Sequence, residues 1–391
     1  MSPPAPCVLE LTRRLRARDG LQADSPRPAT ADAGDPIPSR SEGEVAAEAY
    51  LSAERFAAEQ QAIFTRVPLV AGVAAELAAP GACLTVDAPG LAALAVRGED
   101  GAVRGFKNAC RHRGTRLVDD VACQRKAFVC PYHGWTYDLA GALVHVPHAD
   151  SFRDSRPMEG PRAHLAPAPV AERHGLLWAG GDGDLAGFLA PIEEDLAALD
   201  AGTHVLYRRT EREVRGNWKL VIDAFLDGYH IRHLHRNTVY PFFADAMSEA
   251  ERAGPHVRAV TARRALFEAD DAALVADLRN VATPSYLLFP NTILIVHPDY
   301  LSVLVATPLA PARTRFVHWM LIPRAPATPE EEAHWAKSFA LIDDRVFVAE
   351  DLRIVEAMQR GLESGANRAL LFGRHEHAAL WFHQAVDRYL A

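Results

Sequence analysis

The chain has 391 residues, 49% of them hydrophobic and 24% charged, with a formal net charge of −8. That length leaves room for two domains, each with its own core, and the balance is that of a soluble globular protein. The negative charge argues against a general nucleic-acid binder, no apolar run approaches the ~18 residues of a membrane helix, and the N-terminus lacks the apolar core of a signal peptide.

Residues 1–42 are rich in Pro, Ala, Asp and Arg with no sustained period, and are expected to be disordered or arm-like. Within 43–65, the run SAERFAAEQQAIF reads as a helix capped by Ser52, with Phe56, Ile63 and Phe64 as its apolar face. Residues 66–183 break into short apolar or alternating runs separated by Gly and Pro, which predicts a small all-β domain. From 184 to 391 the pattern changes. HVLYRRTEREV is a strand candidate, NWKLVIDAFLDGYHIRHLH reads as helical, and 236–282 is mixed and long-looped. The apolar strands SYLLF, TILIVH, YLSVLVATPL and RFVHWMLIP follow, and a long helix starts at Thr328–Pro329 with acidic residues in its first turn. Strands followed by a long helix suit an α+β domain, an antiparallel sheet wrapped on a helix.

The most informative stretch is CRHRGTRLVDDVACQRKAFVCPYH, from Cys110 to His133. Cys110 and His112 flank one residue, Cys130 and His133 flank two, and 17 residues separate the pairs. Two thiolates and two imidazoles suit zinc or iron. A structural zinc site usually shows paired cysteines followed by paired histidines. Mixed Cys-His pairs instead match a Rieske [2Fe–2S] centre, with cysteines on one iron and histidines on the other. Gly114 and Gly134 give the two loops backbone freedom, and Pro131 stiffens the second. The remaining cysteines, Cys7, Cys83 and Cys123, read as free thiols in a reducing compartment. His145, His148 and His174 lie on or near strands and read as surface or hydrogen-bonded histidines.

The loops NACRHRGTRL and VCPYHGWTYD resemble those of the Rieske non-haem iron oxygenases, large (alpha) subunit, and the resemblance runs from about residue 45 to the end. It implies an all-β Rieske domain over 66–183, an N-terminal helix at 43–65 packing on the catalytic domain, and a helix-grip catalytic domain over 184–391. The similarity is strongest to the aromatic-ring-hydroxylating and quaternary-amine monooxygenase-like group. Asp223, Asp227, His230 and His235 fit that family's acidic-x3-Asp-x2-His-x4-His pattern, preceded by Asn217, Trp218 and Lys219.

At ~100° per residue, Asp223, Asp227 and His230 share one helical face, whereas His235 lies ~140° from His230. The two histidines meet one metal only if the backbone is irregular between them, which predicts a break near 231–234. Two histidines and a carboxylate make the facial triad of non-haem Fe(II) oxygenases. Asp351 is the first candidate for the carboxylate. It falls in an apolar stripe with Phe347, Ile354, Val355 and Met358, where an unpaired charge is costly. Glu350 and Asp344 are the alternatives. Asp223 is either an orienting partner of a ligand histidine or a polar residue on the helix, and His233 lies off the ligand spacing.

The resemblance further implies that Asp227 bridges His230 to a Rieske histidine, His112 or His133, of a neighbouring subunit. It implies a [2Fe–2S] cluster and Fe(II) as cofactors, an NAD(P)H-dependent reductase or ferredoxin as electron donor, and a homotrimer or a multiple of one. O2 and a small organic substrate would be consumed in the cytoplasm, with no nucleic acid or membrane as partner. Phe225, Tyr229, Tyr240 and Phe242 could wall a substrate pocket or be ordinary core. A second reading, a Rieske electron carrier with a ligand-binding domain, predicts two irons per chain instead of three.

Overall fold

The structure is a computed structural model that describes residues 4–17, 42–181 and 183–391. The chain divides into two compact units, Phe64–Phe188 and a second that joins the segment ending at Ile63 to Leu189–Ala391. The fold is α+β, an all-β unit and a unit in which one large antiparallel sheet meets helices.

In the all-β unit, Val103–Lys107, Leu91–Arg97, Ala82–Ala88 and Ala122–Gln124 form one antiparallel sheet in that order. Leu69–Val73 pairs with Leu176–Ala179, which pairs with Val170–Arg173. The short strands Phe128–Val129, Thr136–Tyr137 and Leu143–His145 carry the second Cys-His loop. Trp135, Tyr137, Phe128 and Leu94 pack into one buried cluster that includes Cys110 and Cys130.

The expectation of free thiols fails at two positions, because Cys83 and Cys123 are bridged by a disulfide. They face each other as register partners on adjacent antiparallel strands, with Cα atoms 5.1 Å apart, inside the range a disulfide spans. They are 40 positions apart in sequence, so only the sheet register brings them together. Cys7 remains a free, partly buried thiol.

The second unit is built on seven antiparallel strands. They are β1 (Val205–Val214), β2 (Phe243–Ala253), β3 (His256–Arg263), β4 (Ala282–Leu288), β5 (Thr292–Val296), β6 (Leu301–Ala310) and β7 (Arg313–Ile322), in the sheet order β1-β7-β6-β5-β4-β3-β2. The region expected to be long-looped, 236–282, holds β2 and β3, paired from Ser248–Thr261 to Ala253–His256. Burial alternates along only part of each strand, and the polar residues Glu249, His256 and Arg258 at buried positions mask the period in the sequence.

The N-terminal expectation is also corrected. Pro6–Arg16 is a helix, α1, with Val8, Leu11 and Leu15 buried at helical spacing against β2 and β3. Its basic side chains hid this stripe within a Pro- and Ala-rich stretch; residues 18–41 lie outside the described residues. Ser52 caps the helix Ala53–Glu59 by accepting the Arg55 N–H at 3.1 Å. Buried Glu59 then accepts from Lys219 Nζ at 2.6 and 2.7 Å and from Trp218 Nε1 at 2.9 Å, tying this helix to α2 (Trp218–Leu226).

No helix of the described residues is long and apolar enough to cross a membrane.

Candidate iron centres

The two Cys-His loops are built alike. Cys110 N–H donates to Thr115 O at 2.8 Å and accepts at its carbonyl from Gly114 N–H at 2.9 Å. Cys130 repeats the pattern at the same offsets, with Trp135 O at 2.8 Å and Gly134 N–H at 3.0 Å. Both glycines have positive φ, +79° and +71°, which L side chains rarely adopt. The glycines at these offsets are therefore what closes each turn.

Between the loops lies a donor set that fits an iron–sulfur cluster. Both cysteines are 3% exposed, and the His112 and His133 ring centroids are 4.6 Å apart. His112 stacks on Trp135 at 4.7 Å, and its buried Nδ1 has no hydrogen-bond partner among the described residues. An orphaned ring nitrogen is costly unless a metal takes the lone pair. Burial pushes the Cys110 thiol up. It opposes ionisation at Cys130 too, but the backbone N–H groups of Tyr132 and His133 aimed at that sulfur outweigh it and bring the thiol down. Tyr137, which sequence reasoning missed, accepts the Arg111 N–H at 3.0 Å and puts its hydroxyl 3.4 Å from Cys110 Sγ. His145 and His148 are exposed and stand apart from the set.

In the second unit, Asn217 caps α2 by accepting the Lys219 N–H at 3.0 Å, and the helix stops at Asp227 in extended conformation. The irregular backbone expected at 231–234 lies upstream, at 227–229. Residues 231–234 form a single helical turn, α3 (Ile231–Leu234). His230, in helical conformation, precedes this turn and His235 ends it, so the two flank an intact helical turn and the break expected between them is absent. Their Nε2 atoms lie 3.1 Å apart. Gly228 packs closely in the break, where a Cβ would sit 2.2 Å from Ser248 Oγ and force that hydroxyl to turn away. Asp227 accepts the Tyr229 N–H and places Oδ2 3.3 Å from His230 Nδ1.

The late helical region supplies the carboxylate. Thr328 caps α4 (Pro329–Phe339). Residues 340–352 then run as π-helix before α5 (Arg353–Glu363), a widening that the α-periodic reading of one long helix missed. Asp351, 3% exposed, brings Oδ1 to 3.1 Å from His235 Nε2 and 3.7 Å from His230 Nε2. One ligand atom from each of the three lies within 4.8 Å of the others. This buried oxygen has no hydrogen-bond partner among the described residues. Two ring nitrogens facing one another beside an unsatisfied carboxylate oxygen are the donor set of a divalent cation.

The alternatives to Asp351 are placed elsewhere. Glu350 Oε2 accepts from His235 Nδ1 at 2.7 Å and from Thr238 Oγ1 at 2.8 Å, on the far side of the ring. Asp344 is exposed. Asp223 is buried away from the histidine pair, held by Tyr50 Oη at 2.7 Å and His383 Nε2 at 3.0 Å. His233 is exposed. Burial disfavours an imidazolium at His235, but Asp351 and Glu350 more than offset it, so its pKa lies above the ordinary value.

A cavity of about 260 Å³ opens on the three side chains. One wall is apolar, from Leu341, Ile342, Val346 and Phe347 of the π-helical stretch. The sheet wall is polar, with Thr261, Arg263, Thr283, Ser285 and His297. Phe225 and Phe242 line it, as expected of pocket walls. Tyr229 and Tyr240 do not, and Tyr229 is 56% exposed.

A Cys-His pair of loops in one unit and a two-histidine, one-carboxylate cluster in the other define an oxidoreductase with two kinds of iron centre. The Rieske [2Fe-2S] domain family matches residues 68–159, and the family described as ring hydroxylating alpha subunit (catalytic domain) matches residues 202–391. The carnitine monooxygenase oxygenase subunit of Acinetobacter baumannii is 27% identical over 363 residues, 87% of this chain and 93% of the relative. The glycine betaine monooxygenase oxygenase subunit of Chromohalobacter salexigens is 31% identical over 54% of this chain and 47% of its own. Two solved structures share the fold. A quaternary ammonium Rieske monooxygenase in complex with an inhibitor has a TM-score of 0.76 at 21% identity over 90% of this chain and 96% of that one. Naphthalene 1,2-dioxygenase from a Rhodococcus species bound to indole has 0.74 at 19% identity over 89% and 94%. The chain belongs to the Rieske non-haem iron oxygenases, as an alpha subunit. It is an enzyme whose cofactors are a Rieske [2Fe–2S] cluster and mononuclear Fe(II), and it works with an external reductase.

Proposed function

We propose that Cys110, His112, Cys130 and His133 hold the [2Fe–2S] cluster and that His230, His235 and Asp351 hold the Fe(II). When bound, the iron supplies activation of O2 for insertion into a small organic substrate, by hydroxylation or oxidative demethylation. The observation that carries this reading is the convergence of His230 Nε2, His235 Nε2 and Asp351 Oδ1 at one end of a cavity. His235 is oriented by Glu350 and His230 by Asp227. The π-helical wall presents an apolar face to the substrate. Relatives named for carnitine and glycine betaine make oxidation at a carbon next to nitrogen the first chemistry to test.

The domain assignment follows the same reading, with residues 66–183 as the Rieske domain, 184–391 as the catalytic domain and 43–65 as a helix belonging to the latter. Asp227 serves as the link between His230 and His112 or His133 of a neighbouring subunit in a homotrimer or a multiple of it. Its side chain is 17% exposed while one oxygen faces His230, which suits a bridging carboxylate. A solved quaternary ammonium Rieske monooxygenase is described with inter-subunit electron transfer. The electron donor is an NAD(P)H-dependent reductase or a ferredoxin, and the compartment is the cytoplasm. Iron quantification tests the reading. Three irons per chain, with substrate-dependent O2 uptake when a surrogate reductase is added, support it. Two irons per chain and no O2 uptake refute it in favour of an electron carrier.

A further inference from the structure

Beyond the iron ligands, the cavity holds one guanidinium. Arg263, at the end of β3, lines the polar sheet wall. Its guanidinium lies over the rings of Phe242 and Phe243, 5.6 and 5.3 Å from their centroids, which holds it in place without neutralising it. Its one hydrogen bond is a long one, 3.4 Å, from Nη1 to Thr283 Oγ1, and no carboxylate among the described residues pairs with it. Asp299 is near enough to favour its charge, but Asp299 Oδ2 bonds His334 Nε2 at 2.6 Å. Two other arginines of this unit have acidic partners, whereas Arg279, on another cavity, has none among the described residues. Arg258 bonds Asp195 at 2.6 Å, and Arg212 bonds Asp343 at 2.7 Å. Burial disfavours the charge on Arg263, so leaving it unpaired in a cleft has a cost that a ligand can remove.

The surrounding groups suit an anion. Thr261 and Thr283 are register partners on β3 and β4, and Ser285 lies two residues on, so their hydroxyls share the cavity face with Arg263. His297 Nε2, on the same wall, is buried without a hydrogen-bond partner among the described residues. The opposite wall is apolar.

We propose that Arg263 is the specificity-determining residue of this site and that it binds a carboxylate of the substrate. The inference rests on the oxygenase reading for the cavity's role, but it adds a substrate class, namely organic acids or zwitterions small enough for one cavity. A guanidinium receives a carboxylate through two parallel N–H donors, which a lysine ammonium cannot reproduce.

The test uses the iron-loaded full chain and isothermal titration with matched probes. These are glycine betaine against choline, and L-carnitine and benzoate against their primary amides. At least one carboxylate is expected to bind about tenfold or more tightly than its neutral counterpart. Arg263→Gln removes that preference, and Arg263→Lys restores only part of it. Iron content and the visible spectrum of the cluster stay at wild-type values in both variants, which shows that they fold. If no carboxylate in the panel outbinds its counterpart, or if Arg263→Gln keeps the preference, the proposal is overturned. Its failure is separable from failure of the oxygenase reading, which would appear as two irons per chain and no O2 uptake whatever the probe affinities.

Discussion

Glu350 offers the sharpest check on how the mononuclear site is held. Its Oε2 accepts from His235 Nδ1 at 2.7 Å and from Thr238 Oγ1 at 2.8 Å, so the ring is fixed with Nε2 toward Asp351 and His230. A hydrogen bond to a charged group contributes about 1.5–3 kcal/mol. Loss of an orienting partner behind a ligand histidine lowers metal affinity about 10- to 100-fold, or about 1.4–2.7 kcal/mol. Glu350→Gln keeps an oxygen acceptor but not the charge, and should fall near the lower end. Glu350→Ala frees the ring and leaves Thr238 Oγ1 without its acceptor, and should fall near the upper end. Asp351→Ala removes a ligand and should lose more than either. Iron retained after dialysis against a graded chelator measures this, with the visible absorbance of the cluster as internal reference. Wild-type iron retention in Glu350→Ala would falsify the orienting role. Iron loss in Glu350→Ala as complete as in Asp351→Ala would make Glu350 itself a ligand.

Other outcomes follow from the same geometry. Asp227→Ala should keep three irons per chain and an intact cluster spectrum yet lose turnover; normal turnover would remove the proposed link between subunits. His230→Ala should lower iron from three to two per chain by metal analysis, and an unchanged count would refute the ligand assignment. Lys219→Met leaves buried Glu59 without its ammonium partner, with the Arg55 guanidinium at 3.3 Å still offsetting part of its charge, and should cost up to about 3 kcal/mol in denaturant unfolding. The double variant with Glu59→Gln should recover part of that, and a Lys219→Met protein as stable as wild type would show that the pair contributes nothing. His297 is pushed down to about 3 by burial, with His318 and Arg263 adding, from an ordinary 6.5. Between these values the unfolded chain binds more protons than the folded one, so stability present above pH ~6.5 is lost as pH falls through the window. Urea midpoints at pH 7 and pH 5 should show a smaller drop in His297→Asn than in wild type; equal drops would exclude this histidine as a cause.

Much of the chemistry was legible because it is local. The Cys-x-His and Cys-x2-His loops close on their own hydrogen bonds, and their glycines sit where the turn needs positive φ. Spacing alone could therefore point to the cluster. Asp351 could be singled out because a carboxylate within an apolar helical stripe needs a partner, and in the fold it is buried beside the two histidines. The strands of the large sheet that are buried on both faces, such as β6 and β7, showed as apolar runs.

What sequence reasoning missed depends on segments distant in the chain. The Cys83–Cys123 bridge needs a strand register, α1 needs the sheet that buries its stripe, and Gly228 in the break at 227–229 packs against Ser248 of a strand twenty positions on. Glu350 and Asp351 are neighbours in sequence, and only the fold decides that one stands behind the His235 ring and the other in front of it. Arg263 was one arginine among many until the sheet set it in the cavity with no acidic partner among the described residues. By itself the sequence determined which donor atoms the protein owns and how short loops present them. The tertiary structure decided which of those donors meet, because convergence at a site is a property of packing between elements and leaves no period in the chain.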